Sequence, residues 1–195
     1  MMTIKTTARN LLICLALPFA PLALAQHQNF NINPSLSTVA FTLASNDDTT
    51  RGTFGVDKGD VAFDPTSTQI SGLIVVSAIS GNSGNASRDK KMLKEVLQAS
   101  KFTTITFAPQ SYTGTLALTG DSTLQVTGAF TLHGTAHTIT VPMLVHVEGN
   151  KCTARTTFKV PYVQWGLKDP SWFVFRVAKD VDVNLTLAGE LSPPR

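Results

Sequence analysis

Three stretches of the chain carry side chains that could do chemistry. Gly81-Asn82-Ser83-Gly84-Asn85 comes close to a nucleophile elbow, in which a sharp strand-to-helix turn exposes a serine hydroxyl. The elbow needs glycine where this chain has Asn85, and it needs a parallel sheet behind it, whereas the surrounding text reads as all-β. A turn and helix start accounts for every one of these residues. His133-Gly134-Thr135-Ala136-His137 is the second. Zinc-binding histidines four apart work on a helix, where one face brings both imidazoles together; Gly134 and the flanking strand patterns make this a hairpin connection, with no third ligand of the right type nearby. The third is Arg88, Lys90, Lys91, Lys94 and Lys101 set against Asp89 and Glu95. This basic group suits a solvated face, an anionic head group at a barrel mouth, or a membrane surface. Trp165, Trp172, Phe173 and Phe175 gather around Asp169-Pro170 and read as a hydrophobic plug of the core ahead of a ligand wall. His146, between Val145 and Val147, reads as a solvated side chain. There is no Gly-rich phosphate loop and no closely spaced carboxylate pair, so nothing here calls for a cofactor, a metal or a catalytic residue.

The elements that must hold these residues are strands with one exception. Between Ser83 and Ala99 the period changes: Met92, Leu93, Val96 and Leu97 fall on one helical stripe, with Lys90, Lys91, Lys94 and Glu95 turned to water. Gly84, Asn85 and Ser87 offer start chemistry, and Asp89 suits the positive end of the helix dipole. Everywhere else the pattern is period two. Val39, Phe41 and Leu43 alternate with small or polar residues; short strands follow around Thr53–Val56 and Val61–Phe63; Ile70 to Ile79 is apolar on both faces. Tyr112–Leu118 and Leu124–Leu132 read as a pair turning at Gly120-Asp121. Ile139 to Val147 alternates without a break, and Gly149-Asn150 marks a hairpin into Ala154–Val160. Val181 to Leu187 is the last strand. About eight or nine such strands predict an all-β fold, a single antiparallel barrel of about eight strands, because closure removes the edges that would otherwise template aggregation. The amphipathic helix then lies near the barrel mouth as a lid or plug.

Residues 1–25 read as a cleaved secretory signal peptide. Lys5 and Arg9 form a positive start, Leu11–Ala20 an apolar run, and Ala23-Leu24-Ala25 a small-x-small cleavage site. The expected location is therefore the periplasm, and residues 26–195 form one domain of sufficient length for a real core. Without Lys5 and Arg9 the balance is 14 basic against 13 acidic side chains, and the net charge drops from +3 to +1. Such a near-neutral surface does not argue for nucleic acid. Only Cys152 remains beyond the leader, so core packing and strand ladders must hold the fold without an internal disulfide.

Several motifs, in order along the chain, resemble the YceI-like family of lipocalin-fold proteins: Ser37-x-Val39-x-Phe41, Gly52-Thr53-Phe54, Phe63-Asp64-Pro65, Ser83-Gly84-Asn85-x-x-Arg88-Asp89, Ile105-Thr106-Phe107, Val126 to Gly134, Val141-Pro142 and Trp165-Gly166. The resemblance implies an exported barrel that binds a long-chain amphiphile such as a polyisoprenoid or a fatty-acid-like lipid, with no reaction. The family often has histidine where this chain has Leu36, Ser45 and Lys91, and proline where it has Thr103. By alternation phase, the expected lining is Phe41, Phe54, Phe63, Ile74, Val76, Phe107, Phe130, Met143 and Phe158. Arg88 is the candidate head-group contact, or else the partner of Asp89 or another carboxylate. A peripheral contact with a membrane surface and a homodimer are both compatible with this reading. Two other functions stay open: a hydrolase using Ser83 with His133 or His137, and a ligand-free structural or stress-related interaction module.

Overall fold

The computed structural model describes residues 28–192, so the leader expected over 1–25 lies outside the described residues. Ten ladder segments are present: β1 Gln28–Ile32, β2 Thr38–Ala44, β3 Thr49–Phe54, β4 Val56–Phe63, β5 Ile70–Ser77, β6 Thr104–Thr113, β7 Gly120–Leu132, β8 Thr135–Glu148, β9 Lys151–Val160 and β10 Val181–Ser192. They make eight strands, because β1 and β2 are one path interrupted by a 3-10 turn at Pro34–Leu36, and β3 and β4 are one path bent at Gly55. Each neighbour in sequence pairs antiparallel with the next, and the cylinder closes where β10 meets β9 on one side and β2, then β1, on the other. A closed antiparallel barrel is thus the fold, with no unpaired wall.

The inward faces follow the alternation. On β9, Cys152, Ala154, Thr156 and Val160 are buried while Lys151, Arg155, Thr157 and Lys159 are exposed; on β8, Val141, Met143 and Val147 are buried while Thr140, Pro142, Leu144 and His146 are exposed. Turns fix these registers. Gly149, at φ 60°, is the first central residue of the two-residue turn between β8 and β9, and His133-Gly134, at φ 53° and 77°, form the two-residue turn between β7 and β8. Of the predicted strand Tyr112–Leu118 only Tyr112 and Thr113 are strand, as the end of β6; Leu116 and Ala117, half-buried, and Leu118, 42% exposed, form a loop over the end of the barrel where the described chain begins and ends, the termini end.

The opposite end is closed by the helix and the long segment 161–180. The helix is α1, Ala86–Lys91, continued by a wider π-helical turn over Met92–Val96. Asn85 caps it, its side chain accepting from the Arg88 N–H at 3.0 Å. Met92, Leu93, Val96 and Leu97 are half-buried and Lys90, Lys91, Lys94 and Glu95 exposed, as the stripe predicts. Val96 and Leu97 pack on a second apolar cluster built from Leu132, Val160, Tyr162 and Leu167.

Candidate functional site

The barrel interior holds two apolar cavities stacked along its axis. The cavity nearer the termini has a volume of about 70 Å³ and is bounded by Phe30, Val61, Phe63, Tyr112, Leu124 and Leu187 among others. The one nearer the helix has a volume of about 120 Å³ and is bounded by Phe41, Phe54, Leu97, Phe130, Phe158 and Val160 among others. Ile74, Phe107 and Met143 line both, so the cavities share a waist. Each is several times the roughly 10–15 Å³ that a single water needs, yet offers water almost no hydrogen-bond partners.

The cavities exist because large and small side chains face each other unequally. Phenylalanine rings line the interior from β1, β2, β3, β4, β6 and β7 and from Phe158 on β9, while the stretch of β9 before Phe158 presents only Cys152, Ala154 and Thr156. Glycines let two of the rings lie flat against the wall. A Cβ on Gly52 would come within 2.5 Å of the Phe41 ring, and one on Gly128 within 2.7 Å of the Phe107 ring. The rings contact one another in tilted or edge-on pairs, Phe41 with Phe54 at 5.4 Å and Phe130 with Phe158 at 5.9 Å.

Of the residues expected to line the interior, Phe63 borders the cavity nearer the termini, and Phe41, Phe54, Val76, Phe130 and Phe158 the cavity nearer the helix; Ile74, Phe107 and Met143 border both. Arg88 borders neither. Its Nε donates to Ser83 Oγ at 2.9 Å and its Nη2 to the Ser83 carbonyl at 3.1 Å, while Ser83 Oγ and N–H donate to Asp89 Oδ1 at 2.5 and 2.8 Å. The signature Ser83…Arg88-Asp89 is a clasp that fastens the start of α1. Its serine proton goes to a carboxylate held by the backbone, not to an imidazole, so the nucleophile reading fails on geometry. The two histidines pack against rings elsewhere, His133 on Phe102 with ring centres 4.2 Å apart and His137 on Trp165 at 4.0 Å, and the Nε2 of each is buried without a hydrogen-bond partner. His146 Nδ1 is 2.7 Å from Asp121 Oδ1 on the outer wall. Among the described residues, no group of three or more His, Cys, Asp or Glu comes together.

The aromatic cluster splits. Trp165 seals the helix end against Phe130 and His137. Trp172 and Phe173 do not plug anything; they are 73% and 78% exposed.

Polar groups inside the barrel are few, and alternation alone did not single them out. Tyr112 Oη donates into the space between the Asp64 and Ser67 carbonyls, each 2.8 Å away, and burial pushes its phenol above the ordinary value. Burial likewise pushes the Cys152 thiol up to about 11, keeping it neutral and poorly nucleophilic. Thr156 is the exception: it borders the larger cavity, is only 6% exposed, and its Oγ1 is buried without a hydrogen-bond partner. It lies in the same alternating phase as Ala154 and Phe158, which is the signal that could have found it.

Comparison with known proteins agrees with this architecture. The fold resembles that of Burkholderia cenocepacia BcnA (TM-score 0.67, 22% identity, covering 81% of this chain and 99% of that one). It also resembles a polyisoprenoid binding domain from Saccharophagus degradans implicated in plant cell wall breakdown (TM-score 0.64, 13% identity, 84% and 98%). A third likeness is the Campylobacter jejuni YceI protein (TM-score 0.54, 13% identity, 98% and 99%). No curated protein matches the sequence. The YceI-like domain model matches residues 30–188, nearly the whole barrel with its clasp and both cavities, and the chain belongs to the YceI-like family.

Proposed function

We propose that this protein is a periplasmic carrier or store that holds the hydrocarbon chain of a long amphiphile, a polyisoprenoid or a fatty-acid-like lipid, inside the barrel, and that it catalyses no reaction. The observation that carries this reading is the pair of apolar cavities joined at Ile74, Phe107 and Met143. Together they run from the loop at the termini end to Leu97 at the helix end, a narrow path suited to a chain one methylene wide. Each methylene moved from water into such a lining contributes about 0.8 kcal/mol, so a long chain needs few polar contacts. Binding by a structural relative whose name includes polyisoprenoid binding supports the same ligand class.

The waist bears on how binding proceeds. Met143 is unbranched and flexible, able to move aside for a chain where a branched side chain would not. Thr156 Oγ1 would supply the one unspent hydrogen bond on the path, satisfied by a hydroxyl, carbonyl or ether oxygen of the ligand.

Native mass spectrometry of protein purified without detergent, followed by lipid extraction, should return a long-chain amphiphile in stoichiometric amount. Protein that repeatedly arrives without one, and that fails to quench or shift a fluorescent acyl probe, would overturn the proposal.

A further inference from the structure

The segment Trp172-Phe173-Val174-Phe175 is the most exposed apolar stretch of the described chain, with Val174 at 83% joining Trp172 and Phe173. It is an ordered turn. Trp172 N–H donates to the Phe175 carbonyl at 2.9 Å and Phe175 N–H to the Trp172 carbonyl at 2.8 Å. Asn46, from the turn between β2 and β3, clamps it: its Nδ2 donates to the Val174 carbonyl at 2.8 Å, and its Oδ1 accepts from Arg176 N–H at 2.9 Å. Phe173 is held at φ 48°, a left-handed conformation that a bulky side chain rarely adopts. Structure is thus spent on pushing three apolar side chains outward, and strain of this kind points to function.

We infer that this turn is the element by which the barrel docks, helix end first, on an anionic lipid bilayer. It stands at the end of the barrel nearer the larger cavity. The segments forming that end, 44–51, 78–103 and 161–180, carry nine basic against six acidic side chains, whereas the rest of residues 28–192 carries four against seven. The molecule is therefore electrically polarised, with its positive end on the side of the aromatic tip, matching an anionic surface. Tryptophan and phenylalanine suit the interfacial region, and most of the tip's backbone groups are already paired, so entry into an apolar medium leaves few unsatisfied. A second copy of the chain fits less well. Trp172 and Phe173 together offer about 300–500 Å², and the smaller Val174 does not bring the patch to the roughly 800 Å² per partner of a stable interface. Among the described residues no helix is long and apolar enough to cross a membrane. The inference rests on the carrier reading only for its purpose, delivery or loading of lipid; docking itself does not require an occupied cavity.

The test compares the wild-type chain with W172S/F173S, two chains that share whatever the N-terminal apolar run contributes. In flotation with vesicles of phosphatidylethanolamine and phosphatidylglycerol, the wild type should float and the variant should bind at least about tenfold less. Brominated lipids should quench wild-type tryptophan emission, and a K90E/K91E/K94E chain should lose part of the binding, as should raised salt. Equal flotation of wild type and W172S/F173S, or no flotation of either, overturns docking. So does concentration-dependent self-association in sedimentation that disappears in W172S/F173S while vesicles go unbound. Displacement of a fluorescent acyl probe in solution should be unchanged in W172S/F173S. Failure of the probe to bind the wild type while flotation persists would sink the carrier reading and leave the docking intact.

Discussion

Thr156 poses the sharpest question among single residues, because a buried hydroxyl without a partner is costly in an apolar chamber. Leaving such a group unsatisfied costs on the order of 1–3 kcal/mol. Thr156→Val should therefore raise the stability of the protein by about 1 kcal/mol in urea titration while weakening an amphiphile with an internal oxygen up to about tenfold, the worth of one hydrogen bond. A pure hydrocarbon probe should bind Thr156→Val no worse than wild type. Loss of both ligands alike would show that the hydroxyl matters only for packing. This residue also marks where reading the sequence stops. Phe158 and Ala154 reveal their inward phase by alternation, and Thr156 shares it, but that its hydroxyl goes unpaired depends on what β8 and β10 place beside it. The exposed position of Trp172 and Phe173 was equally hidden, since aromatic content alone does not separate a plug from a protrusion. Arg88 was legible as part of a signature, yet its turn back onto Ser83 is a matter of side-chain geometry.

At the level of elements, the helix and its seat were legible because their signals are local. Asn85 caps, the Met92/Leu93/Val96/Leu97 stripe faces in, and Gly149-Asn150 makes its turn. What was not legible is continuity across breaks: Pro34 and Gly55 interrupt the text of two strands whose hydrogen bonding carries on in space, and Leu116–Leu118 is apolar enough to read as strand while folding as loop. The helix end is further tied by Lys168 Nζ, which donates to Glu95 Oε2 at 2.6 Å and joins the π-helical turn to segment 161–180. The Lys168 ammonium holds the Glu95 carboxyl below its usual value of 4.5. A carboxylate depressed in the folded state contributes stability that is present above its ordinary pKa and lost as pH falls through the lower folded value. Acidification below about pH 4.5 should thus lower the protection factors of the Leu97 and Ala99 amides, next to the latch, measured against the intrinsic exchange rate at each pH. In Glu95→Gln that acid step should vanish and the protection of these two amides should already be modestly lower at neutral pH, with global stability little changed because the pair is solvent-exposed. An acid step of the same size in Glu95→Gln would assign it to another carboxylate.

For the molecule as a whole, the decisive matter is whether the two cavities work as one. Their common wall is three side chains, and of these Met143 is the one able to swing clear without moving the strand that bears it. Met143→Phe puts a stiff ring at the waist. A short acyl probe that fits within the cavity nearer the helix should bind this variant as it binds wild type, whereas a longer chain is forced to leave its far methylenes in water. At about 0.8 kcal/mol each, expelling about four methylenes costs about 3 kcal/mol, on the order of a two-hundredfold rise in Kd. Plotted against chain length, affinity for wild type should keep climbing past the point where affinity for Met143→Phe levels off. Met143→Ala, which widens the waist, should restore the climb and guards against blaming a misfolded barrel, since overpacking by itself costs about 1–3 kcal/mol. If both variants follow the wild-type curve at every length, no chain passes between the chambers, and a ligand confined to one of them would have to be far shorter than a polyisoprenoid.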